Sequence, residues 1–175
     1  MSNNSYINEQ IFNETIYLSY KELNKNINDI LKNKLKEKIE NKCYKNGYII
    51  KGNINIINKT LGKLINVDSE NKLIYNIKFS AKILELNIND VIDCYINNIN
   101  KMGILAYIKL KDILSNYKEG NTFNDSPLVI IIPSQLIEDI DKESIGLEKK
   151  IRVKINAVRL KFNANKIQII GEIID

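Results

Sequence analysis

One long stretch of this chain, Lys21 to Asn41, repeats its apolar residues in steps of three and four: Leu23, Ile27, Ile30, Leu31, Leu35 and Ile39. That spacing gathers them into one stripe on a helix, with Lys32, Lys34, Lys36 and Lys38 mostly turned away from it. Most of the remaining apolar residues fall in β segments, several of them alternating with a period of two. A lone helical stripe among alternating runs has one economical solution, which is to lie across a sheet. The runs supply that sheet. Gln10 to Leu18 predicts a first strand, Gly47-Tyr48-Ile49-Ile50 with Ile54, Ile56 and Ile57 a second, and Gly62 to Val67 a short third. After an Asp68-to-Asn71 turn, Leu73 to Leu84 alternates Leu73, Tyr75, Ile77 and Phe79 against Asn76, Lys78 and Ser80.

The chain turns polar at Leu86 to Asp90, which predicts a boundary between a first domain, 1–86, and a second, 87–175. The second reads as almost wholly β. Strands are expected at Val91–Ile99, Ile104–Leu110, Leu128–Ile132, Ile151–Phe162 and Ile167–Ile174, with a short helix over Ser134–Ile140 capped by Ser134. Two changes of parity matter. Ile151, Val153 and Ile155 give way to Val158, Leu160 and Phe162, and Ile92, Cys94 and Ile96 give way to Ile99. Each change needs an extra residue, near Asn156–Ala157 and Asn97–Asn98. Small barrels use such bends to close. The expected fold class is therefore α+β: an N-terminal helix-covered antiparallel sheet, then a five-stranded OB/S1-like β-barrel.

The chemistry of the chain is sparse. It holds no histidine, which removes Ser-His-Asp and Cys-His arrangements and histidine bases. Neither GxxxxGK[ST] nor GxGxxG occurs, so no phosphate-cradling loop is expected. Glu138, Asp139, Asp141 and Glu143 fall in a mixed-charge polar run and read as solvated. Cys43 and Cys94 have no CxxC partner and read as small buried residues. No catalytic residue, cofactor or metal is expected. No stretch approaches the ~18 apolar residues of a membrane span. Met1 to Gln10 lacks the layout of a signal peptide, so an intracellular protein is expected. The net charge of +5 is a mild bias compatible with nearby nucleic acid. The heavy use of Ile, Asn and Lys is the signature of an AT-rich coding genome.

Taken in order, the motifs resemble a known family: the seventh, larger stalk subunit of eukaryotic RNA polymerase II with its archaeal and large-DNA-virus counterparts. In the first half the resemblance rests on LKNKL (Leu31 to Leu35), EKIENKC (Glu37 to Cys43) and Gly47-Tyr48-Ile49. It continues through Gly62-Lys63-Leu64-Ile65, Asp68 and Asn76-Ile77-Lys78-Phe79. In the second half it rests on Val91-Ile92-Asp93 followed by Gly103, on VIIIPSQL (Val129 to Leu136), and on the strands from Ile151 to Ile155 and from Ile169 to Ile173. The resemblance implies a subunit without an active site. Its first domain would dock on the polymerase core near the clamp through the turns that hold Leu18, Tyr20, Leu23, Val67, Asp68 and Lys72. Its second would stand near exiting RNA and receive initiation factors. The implied partners are core polymerase subunits, a smaller stalk subunit and, weakly, nascent single-stranded RNA, with no membrane. The implied place is a virion or cytoplasmic viral factory if the gene is viral, and otherwise the nucleus.

S1-type barrels hold single strands by stacking bases on aromatic rings backed by lysine and arginine. Here Ile104, Leu105 and Ala106 stand where aromatics would be expected, leaving Tyr107 and Tyr95 to stack. The cations available are Lys101, Lys109, Lys111, Arg152, Lys154, Arg159, Lys161 and Lys166. The bland reading is that these are the solvated sides of ordinary strands, so any RNA binding is expected to be weak and salt-sensitive. The competing reading is a free-standing S1-type RNA-binding protein of translation or RNA processing. Such a protein is expected to keep more exposed aromatics and a stronger basic face.

Overall fold

A computed structural model describes residues 6–23, 26–67, 70–114, 121–137 and 146–174. By packing, the chain forms two compact units. The first to be described takes residues 8–41 and 49–83. The second takes Tyr6, Ile7, Lys42–Tyr48 and the described residues from Leu84 onward.

The sheet of the first unit is built on β1 (Ile7–Ser19), β3 (Gly47–Lys59) and β5 (Glu70–Leu84), in the order β1-β5-β3, while the two-residue β2 (Cys43–Tyr44) pairs with Tyr48 and Gly47 at the start of β3, residues of the second unit. β4 (Lys63–Val67) pairs with β5 alone, Lys63 opposite Ile74 and Val67 opposite Glu70. One helix, α1 (Ile27–Ile39), buries Leu31, Leu35 and Ile39, the lower part of the expected stripe. Lysines on its flank tie it to β1. Lys34 donates to the Tyr17 carbonyl, and Lys38 donates to the Glu14 carboxylate at 2.8 Å and to the Thr15 carbonyl. Phe12, Ile16 and Leu18 of β1 and Tyr75, Ile77 and Phe79 of β5 fill the core, where the Phe12 and Phe79 rings lie 5.7 Å apart.

The helix is shorter than its periodicity predicts. Tyr20–Glu22 forms a separate 3-10 turn, and Leu23 ends that turn in extended backbone. The local cause is Glu22, whose carboxylate accepts from the Ser19 N–H at 2.9 Å and from Lys34 at 2.8 Å. The ribbon from Ile57 to Val67 stays open to solvent. Ile57 and Leu64 are exposed and Leu61 is 94% exposed.

The second unit closes five strands into a mixed barrel: β6 (Val91–Asn100), β7 (Gly103–Tyr107), β8 (Leu128–Pro133), β9 (Lys150–Arg159) and β10 (Ile167–Ile174). The order around it is β10-β8-β7-β6-β9, with β8 and β10 parallel and the other pairs antiparallel, an OB-like arrangement. Inward residues alternate as the pleat requires. Ile92, Cys94 and Ile96 meet Ile104, Ala106, Ile130, Val153, Ile155 and Ile169, all buried. Both expected bulges are present. Asn97 is skipped between the pairs Ile96–Ala106 and Asn98–Leu105, and Asn156 between Gly171–Ile155 and Ile170–Ala157. Gly103 has φ +136, and a Cβ there would stand 2.0 Å from the Ile132 carbonyl oxygen, so β7 can start there only with glycine.

Three expected boundaries are corrected. The second barrel strand ends at Tyr107 rather than Leu110, because the buried Ser126 hydroxyl accepts the Ile108 N–H at 3.2 Å and Leu110–Ile113 then winds into the one-turn α2. The short helix after β8 is a single 3-10 turn, Ser134–Leu136, with Pro133 as its N-cap. Ser134 does not cap it but is its first residue, and the Ser134 N–H donates to the Met102 carbonyl. Ile137 ends that turn, and residues 138–140 of the expected helix, with the acidic run from Glu138 to Glu143, lie outside the described residues. Finally, β9 stops at Arg159 and Phe162 is 66% exposed, not an inward barrel residue. Asn163 takes φ +64 to turn the chain there, and the turn is tied by Asn163 N–H to the Cys43 carbonyl and Cys43 N–H to the Ala164 carbonyl.

Candidate nucleic-acid interface

Two barrel strands bring the chemistry of the second unit together. On β6 the outward residues are Asp93 and Tyr95, because Ile92, Cys94 and Ile96 point in. Their partners on β9 are Arg152, opposite Asp93, and Lys150, opposite Tyr95. On the other side of β6, Tyr95 faces Tyr107 of β7. Period-two alternation thus sets two rings and two cations on one outer face without any special loop.

The rings form a cluster. Tyr95 and Tyr107 have centroids 6.0 Å apart, and Phe123 meets Tyr107 edge-on, also at 6.0 Å. Lys109 lays its ammonium 3.8 Å from the Tyr95 centroid, and Lys166 lies 4.4 Å from that of Phe123. Lys166 also donates to the Phe123 carbonyl, and burial lowers its pKa. The Tyr95 hydroxyl donates to Asp112 at 2.8 Å, which raises the phenol pKa. Tyr107 donates to Glu148 at 2.9 Å. Burial first, and then that carboxylate, push its pKa up to about 12.

Carboxylates offset three of the expected cations. Lys109 pairs with Glu148 at 3.4 Å, Lys154 with Glu172 at 3.5 Å, and Arg152 through Nε with Asp93 at 3.7 Å. Asp93 also holds Lys150 at 2.8 Å, and this bond is the first cause of a raised Lys150 pKa. These pairs are exposed or half-exposed, so each is weak and can open for a competing anion.

The sequence-predicted RNA contacts are therefore split. Tyr107, Lys109 and Arg152 belong to one connected surface. Lys154 stands further along β9, opposite Val91. Lys101 is exposed in the β6–β7 turn, and Arg159 and Lys161 are exposed at the end of β9 and just past it. These last three form no ion pair among the described residues. Tyr107 is 2% exposed, so its ring is a buried support for Tyr95 rather than an open stacking platform.

Sequence reasoning missed Phe123 and the carboxylates Asp93, Asp112 and Glu148. Asp93 was legible as the outward neighbour of Tyr95. Glu148 carries no sequence signal, because 41 residues separate it from Tyr107.

The docking candidates of the first unit are likewise divided. Leu18 is wholly buried in the sheet core, which removes it from any outer surface, whereas Tyr20 is 68% exposed. Leu23, Val67 and Lys72 are half-buried, and Lys72 pairs with Glu70 at 3.3 Å. Asp68 lies outside the described residues.

The chain matches no protein-family model, and no curated protein matches it. Among the described residues no helix is long and apolar enough to cross a membrane.

Proposed function

We propose that this protein is a non-catalytic stalk subunit of a DNA-directed RNA polymerase, docking on the core near the clamp and presenting its barrel towards nascent RNA and initiation factors. The observation that carries this reading is the pairing of two dissimilar units along one chain. A helix-covered sheet exposes an apolar ribbon at Ile57, Leu61 and Leu64, and a closed OB-like barrel follows it. Exposed apolar side chains gathered on one ribbon suit an obligate protein contact. The family resemblance of the motifs supplies the partner. The docking surface then comprises Tyr20, the half-buried Leu23, Val67 and Lys72, and the exposed ribbon residues. A smaller stalk subunit is a further expected partner.

The test is a tagged pull-down from the native source, with the eluate assayed for template-dependent RNA synthesis and identified by mass spectrometry. The two largest polymerase subunits, recovered with activity, are the expected result. Messenger or ribosomal RNA recovered without them would overturn it. That outcome would favour a free-standing S1-type RNA-binding protein, a reading for which the Tyr95–Lys109 surface speaks independently.

A further inference from the structure

Beside the ring cluster, the barrel unit holds a cleft of about 580 Å³, within the range of small-ligand sites. Val91, Ile113 and Ile174 contribute apolar lining, and Asp93, Asp112, Lys150 and Arg152 contribute four charges that sum to zero. A plain anion or a plain cation would meet as much repulsion as attraction there. A ligand that brings one anionic group together with hydrogen-bond donors would not.

Two groups in the cleft have bonding capacity to spare. The nearest approach of Arg152 to Asp93 is through Nε, at 3.7 Å, and its guanidinium makes no hydrogen bond among the described residues, so the fork keeps its donors. Such a fork fits a phosphate or carboxylate with two parallel bonds. Asp112 accepts the Tyr95 hydroxyl on Oδ2, and its Oδ1 has no partner among the described residues. Tyr95 faces Lys150 across the β6–β9 ladder, and Lys150 shares Asp93 with Arg152, so these groups form one connected rim.

We propose that this cleft seats one ribonucleotide of a single strand. The phosphate lies on the Arg152 fork and Lys150, a ribose hydroxyl donates to Asp112, and the base rests on the apolar lining. Apolar carboxylic acids lack the donors, and neutral sugars lack the anion. The proposal rests on the RNA-facing reading of the barrel and adds to it a seat and a preference. Because a ribose 2′-hydroxyl is a donor that deoxyribose lacks, the Asp112 contact selects RNA over DNA.

The experiment is an amide-shift NMR titration of the full chain with the four ribonucleoside 5′-monophosphates, their 2′-deoxy counterparts, inorganic phosphate and leucine. Saturable shifts are expected at 91–95, 112–113 and 150–152 with at least one ribonucleotide, and binding about ten-fold weaker with its deoxy form. Arg152→Gln should weaken binding by about ten-fold, and Asp112→Asn should narrow the ribose preference. No saturable shift, equal binding of the two sugars, or the same shifts with phosphate or leucine alone would overturn the proposal. Both substitutions are at exposed side chains, and an otherwise unchanged spectrum shows that they fold. The pull-down separates the two readings. Polymerase recovered without nucleotide binding sinks the cleft alone, and nucleotide binding without polymerase sinks the stalk assignment alone.

Discussion

In the barrel every strand has a hydrogen-bonded neighbour on each side, whereas in the sheet of the other unit β4 pairs with β5 only and β1 ends the row. Closure leaves the barrel without edges, and two of the apolar residues on its outside, Ile131 and Ile170, stand opposite each other in register. In the open sheet Leu64 also has an apolar partner in register, Leu73, yet Ile57, Leu61 and Leu64 all stay exposed along the ribbon from Ile57 to Val67. The contrast bears on where each unit would meet other molecules under the proposed function. The barrel would work through polar and aromatic side chains on a closed surface, and the sheet through apolar surface that a partner covers.

The largest effects should come from the two cores, and they should separate the units. Phe79→Ala opens a cavity in the sheet core and should cost about 3–5 kcal/mol. Gly103→Ala puts a methyl group against the Ile132 carbonyl in the barrel and should cost about 3 kcal/mol. Urea unfolding followed by far-UV circular dichroism reads both. If each substitution moves a different transition, the units are energetically distinct. If both move a single one, the contrast is only topological.

A double substitution, Leu61→Ser with Leu64→Ser, tests the ribbon. Folding stability should change by no more than about 0.5 kcal/mol, because neither side chain is buried, while recovery of polymerase in the pull-down should collapse. Lost stability with intact recovery would show that the ribbon is part of a core and not a docking surface.

Smaller effects belong to single polar contacts, one in each unit. Tyr107→Phe removes the bond to Glu148 and should cost about 1 kcal/mol. The folded phenol titrates at about 12 against an ordinary value of 10.0, so its contribution is complete below pH 10 and is lost as pH rises towards 12. Ultraviolet titration should show one late phenol that the variant lacks. Glu22→Gln should cost only a few tenths of a kcal/mol, since its pair with Lys34 is partly solvated. The hydrogen bond from Lys34, and then that from Ser19, lower the carboxyl pKa. Its contribution is therefore present above the usual carboxylate range and lost as pH falls through the lower folded value, so wild type and variant should converge in acid melts.

Much of the fold was legible because it follows from period and parity. The stripe that ends in Leu31, Leu35 and Ile39 predicts the helix, and the parity changes predict bulges near Asn97–Asn98 and Asn156–Ala157, where the pairing skips Asn97 and Asn156. The limits of the elements were less legible, because single long-range bonds set them. Ser126 ends β7, and Glu22 separates the 3-10 turn from α1. The candidate interface was half legible. Alternation places Arg152 and Tyr95 outward, but nothing local to Tyr107 says that Phe123 and Tyr95 cover its ring. Nor does any local pattern say that Lys109 spends its charge on Glu148.

The two backbone bonds between Cys43 and the turn at Asn163 and Ala164 have a temporal consequence. The second unit needs a segment from early in the chain and a turn from late in it. During synthesis at ~5–20 residues per second, the roughly 120 residues between them take on the order of 6–24 s to appear. Through that interval the Cys43 N–H and carbonyl have only water as partners. Contacts of such long sequence separation form slowly, since the loop must close before they contribute. The residues around Cys43 should thus be among the last to gain protection from hydrogen exchange as a newly made chain folds.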